Sequence, residues 1–334
     1  MSKNVNKCLV IGSNSFSGSS IIDFLLKKKF KIVGVSRSKE IQKEFLNYKS
    51  NKYKKNFRFH KIDINKKNDR KKLLFLIKKF KPKILINYSA QGMVAQSWER
   101  PEDWYKTNLV SQSILYKELT NFRFIKKIIH VTTPEVYGSS AYKIKENFEF
   151  KPSTPYAISR AAMDFHLINL YKNFKLPIIL TRTANIYGPG QQLYRIIPKA
   201  FMCSKKNIRF NLHGGGKSIR SFIYMEDVSR ATYLIFLRGK IGETYHISNN
   251  YFLTIKKLVQ KISKIQNVNF NSLCKIDTDR VGKDHAYKLN FDKLKRLKWK
   301  PKFNLETGLF HTKKWIDQNY KNLKNKELNY KHKR

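Results

Sequence analysis

Two short segments of this chain carry side chains able to move protons. Thr133-Pro134-Glu135 closes a β-rich run, Ile128–Thr132, and Tyr156-Ala157-Ile158-Ser159-Arg160 opens a helical stretch, Tyr156–Asn173. A carboxylate at the C-terminal end of a central strand projects into the crevice of an open α/β sheet, where it can serve as a base. Residues four apart on a helix share a face, so Arg160 sets a fixed positive charge beside the Tyr156 phenol. Such a charge favours the phenolate and predicts a Tyr156 pKa below its reference of about 10. The plainer readings are a solvated or helix-terminal acid for Glu135 and a core-edge tyrosine for Tyr156.

A third segment, Gly12-Ser13-Asn14-Ser15-Phe16-Ser17-Gly18, joins an apolar run to a helical one. Glycines at such a turn let backbone N–H groups approach a pyrophosphate, and the helix N-terminus adds partial positive charge. The middle glycine of the usual spacing is replaced by Ser15. After the second β-run the chain reads Val35-Ser36-Arg37-Ser38. An acid there would hold a ribose 2′-hydroxyl. Arg37 between serines suits a 2′-phosphate, so NADP is favoured over NAD, although a surface arginine is equally in keeping with so basic a chain.

These residues need a scaffold, and the first half of the chain supplies one. β-Runs at Lys7–Ile11, Lys31–Ser36, Phe57–Ile62, Ile84–Tyr88, Ile128–Thr132 and Pro177–Thr181 alternate with helical patterns at Ser17–Lys29, Arg70–Phe80, Trp104–Asn121 and Tyr156–Asn173. This alternation predicts βαβ units, a parallel sheet and a doubly wound α/β fold. Beyond Asn185 turn residues crowd together, and short strands at Ile208–Leu212 and Thr244–Ile247 mix with helices at Tyr194–Cys203, Glu226–Phe236 and Ile255–Ile265. A smaller C-terminal α/β lobe is expected there. Residues 1–184 with about 222–250 form the nucleotide-binding domain on this reading, residues 185–221 and 251–320 the lobe, and 321–334 a charged, frayed tail.

Lysine and arginine total 69 against 23 acids, a formal charge of +46. The basic residues are spread from end to end, which argues for solvated faces and against a specific nucleic-acid site. Three distant cysteines, Cys8, Cys203 and Cys274, suggest neither a disulfide framework nor a zinc site, and His213 beside three glycines has no partner at metal-binding spacing. The chain opens without a secretory leader, and no apolar run reaches the roughly 20 residues needed to span a bilayer. A cytosolic protein with no metal and no membrane partner is expected.

Taken in order, the segments resemble the extended short-chain dehydrogenase/reductases of the epimerase/dehydratase group, nearest the nucleotide-sugar 4,6-dehydratases. The resemblance runs from about Lys7 to Leu309. It rests on the Gly12–Gly18 turn, Asp63, Ala90-Gln91, Asn108, Thr133–Gly138, Tyr156–Arg160, Asn185–Pro189 and Arg220–Asp227. It implies a Rossmann fold, a retained NADP or NAD, a nucleotide-diphosphate sugar as substrate and a homodimer. Cofactor contacts would come from Gly12, Ser15, Phe16, Gly18, Arg37, Asp63, Ile64, Ser89, Ala90, Gln91, Asn108, Tyr156 and Arg160. Asn185, Arg195, Arg220 and Lys283 would meet the substrate. Thr133 would bind the sugar C4 oxygen, Tyr156 would take its proton, and Glu135 would remove the C5 proton. The sequence departs from the family in two places. Arg160 replaces the usual lysine, and Pro134 stands where dTDP-glucose enzymes carry an aspartate and GDP-mannose enzymes a serine. A GDP sugar fits that pattern slightly better. A nucleotide-sugar 4-epimerase is the alternative, followed by a decarboxylase or a non-catalytic NADP-binding sensor.

Overall fold

The computed structural model describes residues 6–279, 282 and 284–332. Seven parallel strands form its central sheet. In chain order they are β1 (Lys7–Ile11), β2 (Lys31–Ser36), β3 (Phe57–Lys61), β4 (Ile84–Asn87), β5 (Lys127–Thr132), Ile178–Thr183 and Thr244–Ile247. From one edge to the other the order is Thr244–Ile247, Ile178–Thr183, β5, β4, β1, β2, β3. The winding direction reverses between β1 and β4, and in such sheets ligands bind outside the strand ends at that reversal. The central strands are apolar on both faces because helices cover both: β4 reads Ile-Leu-Ile-Asn with every residue buried, whereas the edge strand β3 reads Phe-Arg-Phe-His-Lys with no residue fully buried. One face packs against α1 (Phe16–Lys27) and the helix Met225–Arg238 through Ile21, Ile22, Leu25, Val228 and Ile235. The other packs against α2 (Lys67–Phe80) and the helices Ser111–Leu119 and Pro155–Phe174 through Leu73, Leu115, Met163 and Leu167.

A second hydrophobic cluster belongs to the lobe. It gathers Tyr187, Phe201, Leu212, Phe222, Leu258 and Leu309 around the helices Ile196–Lys205, Ile255–Ile265 and Leu305–Leu323. Its strands are short and paired over long distances, as in the sheet formed by Phe252–Thr254, Ile219–Tyr224 and Asn185–Tyr187.

Three expectations are corrected. The stretch Trp104–Asn121 begins earlier, at Pro101, and contains a wide π-type turn at Lys106–Val110. Phe291, Leu294 and Trp299, placed with the lobe by sequence, pack into the core beside the sheet. Over its described residues, to 332, the charged tail is not frayed: the helix runs to Leu323, and Leu323 and Leu328 are buried in the lobe cluster. Among the described residues no helix is long and apolar enough to cross a membrane.

Candidate active site

The strand ends open into a cleft of about 1130 Å³ between sheet and lobe. Its walls include Gly12, Ser15, Phe16, Arg37, Asp63, Ile64, Ser89, Ala90 and Gln91 along the β1–β4 ends. Thr133, Glu135, Tyr156, Arg160, Asn185, Arg195 and Arg220 line it on the β5 and lobe sides. The cleft therefore gathers sixteen of the sequence-derived candidates. Gly18 and Asn108 stand behind its surface, and Lys283 lies outside the described residues.

The phosphate turn is built for close approach. Gly12 has φ +82°, and a Cβ there would meet the Ser89 backbone nitrogen at 2.8 Å. A side chain on Gly18 would press on the Gly12 carbonyl, so the last glycine allows helix and strand to pack. Ser15, in place of the middle glycine, caps α1: its hydroxyl accepts from the Gly18 N–H at 2.9 Å and donates to the Gly12 carbonyl at 2.7 Å. Asn14 fastens the turn to the end of β2 by donating to the carbonyls of Ser38 and Lys39. Arg37 emerges from that loop with no hydrogen bond or ion pair among the described residues.

Asn108 acts from behind. Its amide bonds both ways with the Gln91 backbone, at 2.8 and 3.0 Å, and reaches the Ser159 hydroxyl at 3.0 Å. Ser159 in turn donates to the Tyr156 carbonyl at 2.7 Å. Asn108 thus braces the β4 loop against the tyrosine helix, and the π-type turn presents it there.

Tyr156 lies in the first turn of its helix, after the Thr154 cap and Pro155. Glu135 follows Pro134, which occupies the first position of a 3₁₀ turn capped by Thr133. Proline is preorganised for that position, so it stiffens the segment while offering no proton. Loss of bulk water pushes the Glu135 carboxyl above its ordinary 4.5, and Asp284 adds to this; its own N–H, Arg220 and Arg195 oppose them. The Tyr156 phenol is also pushed up, by loss of water and by the charge of Glu135. Arg160, a hydrogen bond with Thr133 and Arg195 pull the other way and do not prevail. The expected depression of the Tyr156 pKa is therefore reversed in the ligand-free cleft, because desolvation outweighs the neighbouring cation.

Arg160 is itself buried, at 1% exposure. One terminal nitrogen donates to the Val131 carbonyl and lies 3.1 Å from His130 Nε2. Its Nε and other terminal nitrogen are buried without partners. His130 is held neutral by burial and by the Arg160 charge, and its Nδ1 meets the Tyr116 hydroxyl at 2.7 Å. On the lobe side, Arg220 donates to the carbonyls of Ile219, Asp284 and His285 and stacks over Tyr287, 4.4 Å from the ring centre. Tyr287, unremarked in the sequence, lines the cleft and donates to Asn185 at 2.5 Å. Only its position two residues beyond His285 in a loop pairing with the lobe sheet would have flagged it. His213 lies 3.5 Å from Asp277, and among the described residues no group of three His, Cys, Asp or Glu is placed to hold a metal.

The residues fit a dinucleotide: a backbone cradle that a side chain would fill, an unpartnered arginine at the β2 end, and orphaned guanidinium nitrogens beside a tyrosine. A Rossmann sheet with this cleft and an appended lobe defines an extended short-chain dehydrogenase/reductase. The chain belongs to the GDP-mannose 4,6-dehydratase family, which it matches over residues 9–312. It is 32% identical over 262 residues to dTDP-D-glucose 4,6-dehydratase of Homo sapiens, covering 77% of this chain and 74% of that one. Its fold is similar to the dTDP-glucose 4,6-dehydratase of Bacillus anthracis in complex with NAD: TM-score 0.84, 27% identity, covering 95% of this chain and 98% of the other. A UDP-glucose 4-epimerase from Thermotoga maritima, with UDP-glucose, is similar in fold at TM-score 0.84 and 23% identity, covering 94% and 99%. Membership makes the chain an enzyme of the nucleotide-sugar 4,6-dehydratase class.

Proposed function

We propose that this chain oxidises a nucleotide-diphosphate hexose at C4, eliminates water across C5 and C6, and returns the hydride to C6. The observation that carries this reading is the placement of Glu135 and Tyr156 on one cleft, with the carboxylate charge acting on the phenol. An epimerase working at C4 requires one proton-transfer group. A second, at the end of β5, has a task only where a proton is also taken from carbon, as at C5 in a dehydration.

Gly12, Ser89 and Arg160 would hold the dinucleotide, which supplies the hydride acceptor and, when oxidised, a positive ring beside the phenol. That positive ring would favour the phenolate that the cleft's own groups disfavour, and as phenolate Tyr156 takes the C4 hydroxyl proton while Thr133 holds the C4 oxygen. The C4 ketone acidifies the C5 hydrogen, and Glu135 removes it as hydroxide leaves C6. Pro134 cannot protonate the leaving group, so Glu135 passes on the proton it has just taken, consistent with its raised proton affinity. Return of the hydride to C6, and of a proton to C5 from solvent by way of Glu135, completes a 4-keto-6-deoxy sugar with one water lost, while Tyr156 releases to solvent the proton it took at C4.

Arg37 supports NADP as the cofactor. Arg195 and Asn185 face the cleft where a sugar diphosphate would lie. A homodimer is supported by apolar side chains left exposed on neighbouring helices: Val110, Ile114, Ile158 and Phe165 are 43–50% exposed. Sedimentation of the purified protein as a monomer would remove that assignment. The cysteines, all buried and unpaired, are in keeping with a reducing cytosol.

The test is a panel of GDP-mannose, dTDP-glucose, UDP-glucose and UDP-N-acetylglucosamine, read by mass spectrometry. Loss of one water from a single member identifies the substrate. Interconversion at C4 without loss of mass would favour the epimerase.

A further inference from the structure

The tail that composition marks as solvated crosses the mouth of the cleft. Leaving the helix Leu305–Leu323, the chain turns at Lys326, whose N–H donates to the Leu323 carbonyl, and buries Leu328 in the lobe. Asn329 accepts from Lys199 at 2.8 Å. Tyr330 then packs edge-on against Tyr194, with ring centres 5.3 Å apart. At His332 the chain has reached the other side. Its Nε2 lies 2.8 Å from Asp103 Oδ2, and its ring stacks on Trp104 at 4.9 Å and 15°. Trp104 is wholly buried, and its helix leads directly into the π-type turn that carries Asn108. Lys326, Glu327, Asn329, Tyr330 and Lys331 line the cleft as it stands.

The point of crossing identifies what is covered. The Tyr330 phenol feels the charges of Arg37, at the β2 end, and Arg195, on the lobe. Arg37 marks the adenosine end of a dinucleotide in this topology. The latch is made by ring stacking and by a carboxylate contact on Asp103. Burial pushes that carboxyl up, but hydrogen bonds from His332 and Arg100 outweigh it and hold it below its usual range. Nothing in the catalytic scheme uses Tyr330 or His332.

We propose that residues 326–332 form a clamp over the adenosine end of the cofactor, with Tyr330 as its ligand-facing side chain and His332 as its latch. This rests on the dinucleotide reading of the cleft. Its use follows from the chemistry: a hydride removed from C4 must return to the same sugar, so release of the reduced cofactor in mid-cycle would strand the intermediate. A clamp anchored on both lobes opposes that release.

The experiment measures the dissociation rate of bound NADP and NAD from full-length protein by stopped-flow displacement. The same rate is measured for His332→Ala, Tyr330→Ala and a chain ending at Leu328, which keeps the buried leucine. The clamp predicts release at least about tenfold faster when the latch is lost, the scale of one charge-assisted contact. Thermal unfolding of the ligand-free variants should stay close to that of the parent. Unchanged release in all three variants overturns the clamp, as does a rise in sugar KM with cofactor release unaltered. Failure of the parent protein to bind either dinucleotide would instead overturn the cofactor reading itself.

Discussion

Two buried arginines lie near one another beneath the cleft, and they are treated differently. Arg182 is fully buried with both terminal nitrogens paired, to Asp164 at 2.9 Å and the Tyr137 hydroxyl at 2.8 Å, and only its Nε left over; the rings of Tyr137 and Phe150 each lie 4.9 Å from its guanidinium carbon. Asp164 also accepts from Thr132 at 3.0 Å. Arg160, equally buried, has partners for one nitrogen and orphans for two. Burying a charge costs free energy unless its hydrogen bonds are made. Where the chain makes most of them, as at Arg182, whose Nε alone is left without a partner, it has built a support for β5 and the tyrosine helix. Where it leaves two of three nitrogens without partners on a residue that borders the cleft, as at Arg160, the unmet hydrogen bonds are what the proposed cofactor's hydroxyl groups would supply. The same contrast separates Arg220, occupied with backbone carbonyls, from Arg37, which has none.

The contrast can be broken at several points. Glu135→Gln should lower product formation by about 10²–10⁴-fold, the span of a lost acid–base group. It should also make the protein more stable at pH 7. Because the folded-state pKa of Glu135 is raised above 4.5, its stabilising contribution is complete below that value and is lost as pH rises through the folded-state pKa. The variant escapes that loss, and melting curves from pH 4 to 8 should diverge in its favour as pH rises. On the support side, Asp164→Ala strands Arg182 and should cost about 3–5 kcal/mol of unfolding free energy in urea titrations. A cost near zero would mean that the two arginines are equivalent after all. A smaller effect is expected at Arg37→Ala, which should lower the preference for NADP over NAD by about tenfold. Equal loss for both cofactors would assign Arg37 to the pyrophosphate.

Much of the scaffold was legible because parallel strands buried on both faces are continuous apolar runs, such as Lys7–Ile11 and Lys31–Ser36, which matched residue for residue. The lobe was less so. Strands of three or four residues, such as Asn185–Tyr187, are specified by distant partners, and no local period announces them. At the site, residue type and order located the Tyr156, Glu135 and Arg37 positions on the cleft. Two side chains take on more in three dimensions than their sequence context shows. Asn108, expected as a cofactor contact, has its amide engaged in bracing the Gln91 loop against Ser159. Tyr156 was expected to ionise easily because the neighbouring Arg160 is visible in sequence, whereas loss of water and the charge of Glu135 appear only in three dimensions. In the tail, abundant lysine masked Leu328, Tyr330 and His332, the residues that fasten it.

The central claim is that Glu135 breaks the C5–H bond of a sugar whose C4 is oxidised by way of Tyr156. It is tested most directly by turning over the identified nucleotide sugar in D₂O and locating deuterium in the product by NMR. The account predicts one solvent deuterium at C5 with the parent enzyme and neither product nor exchange at C5 with Glu135→Gln. A 4-keto-6-deoxy product free of deuterium at C5, or C5 exchange that survives in Glu135→Gln, would contradict it.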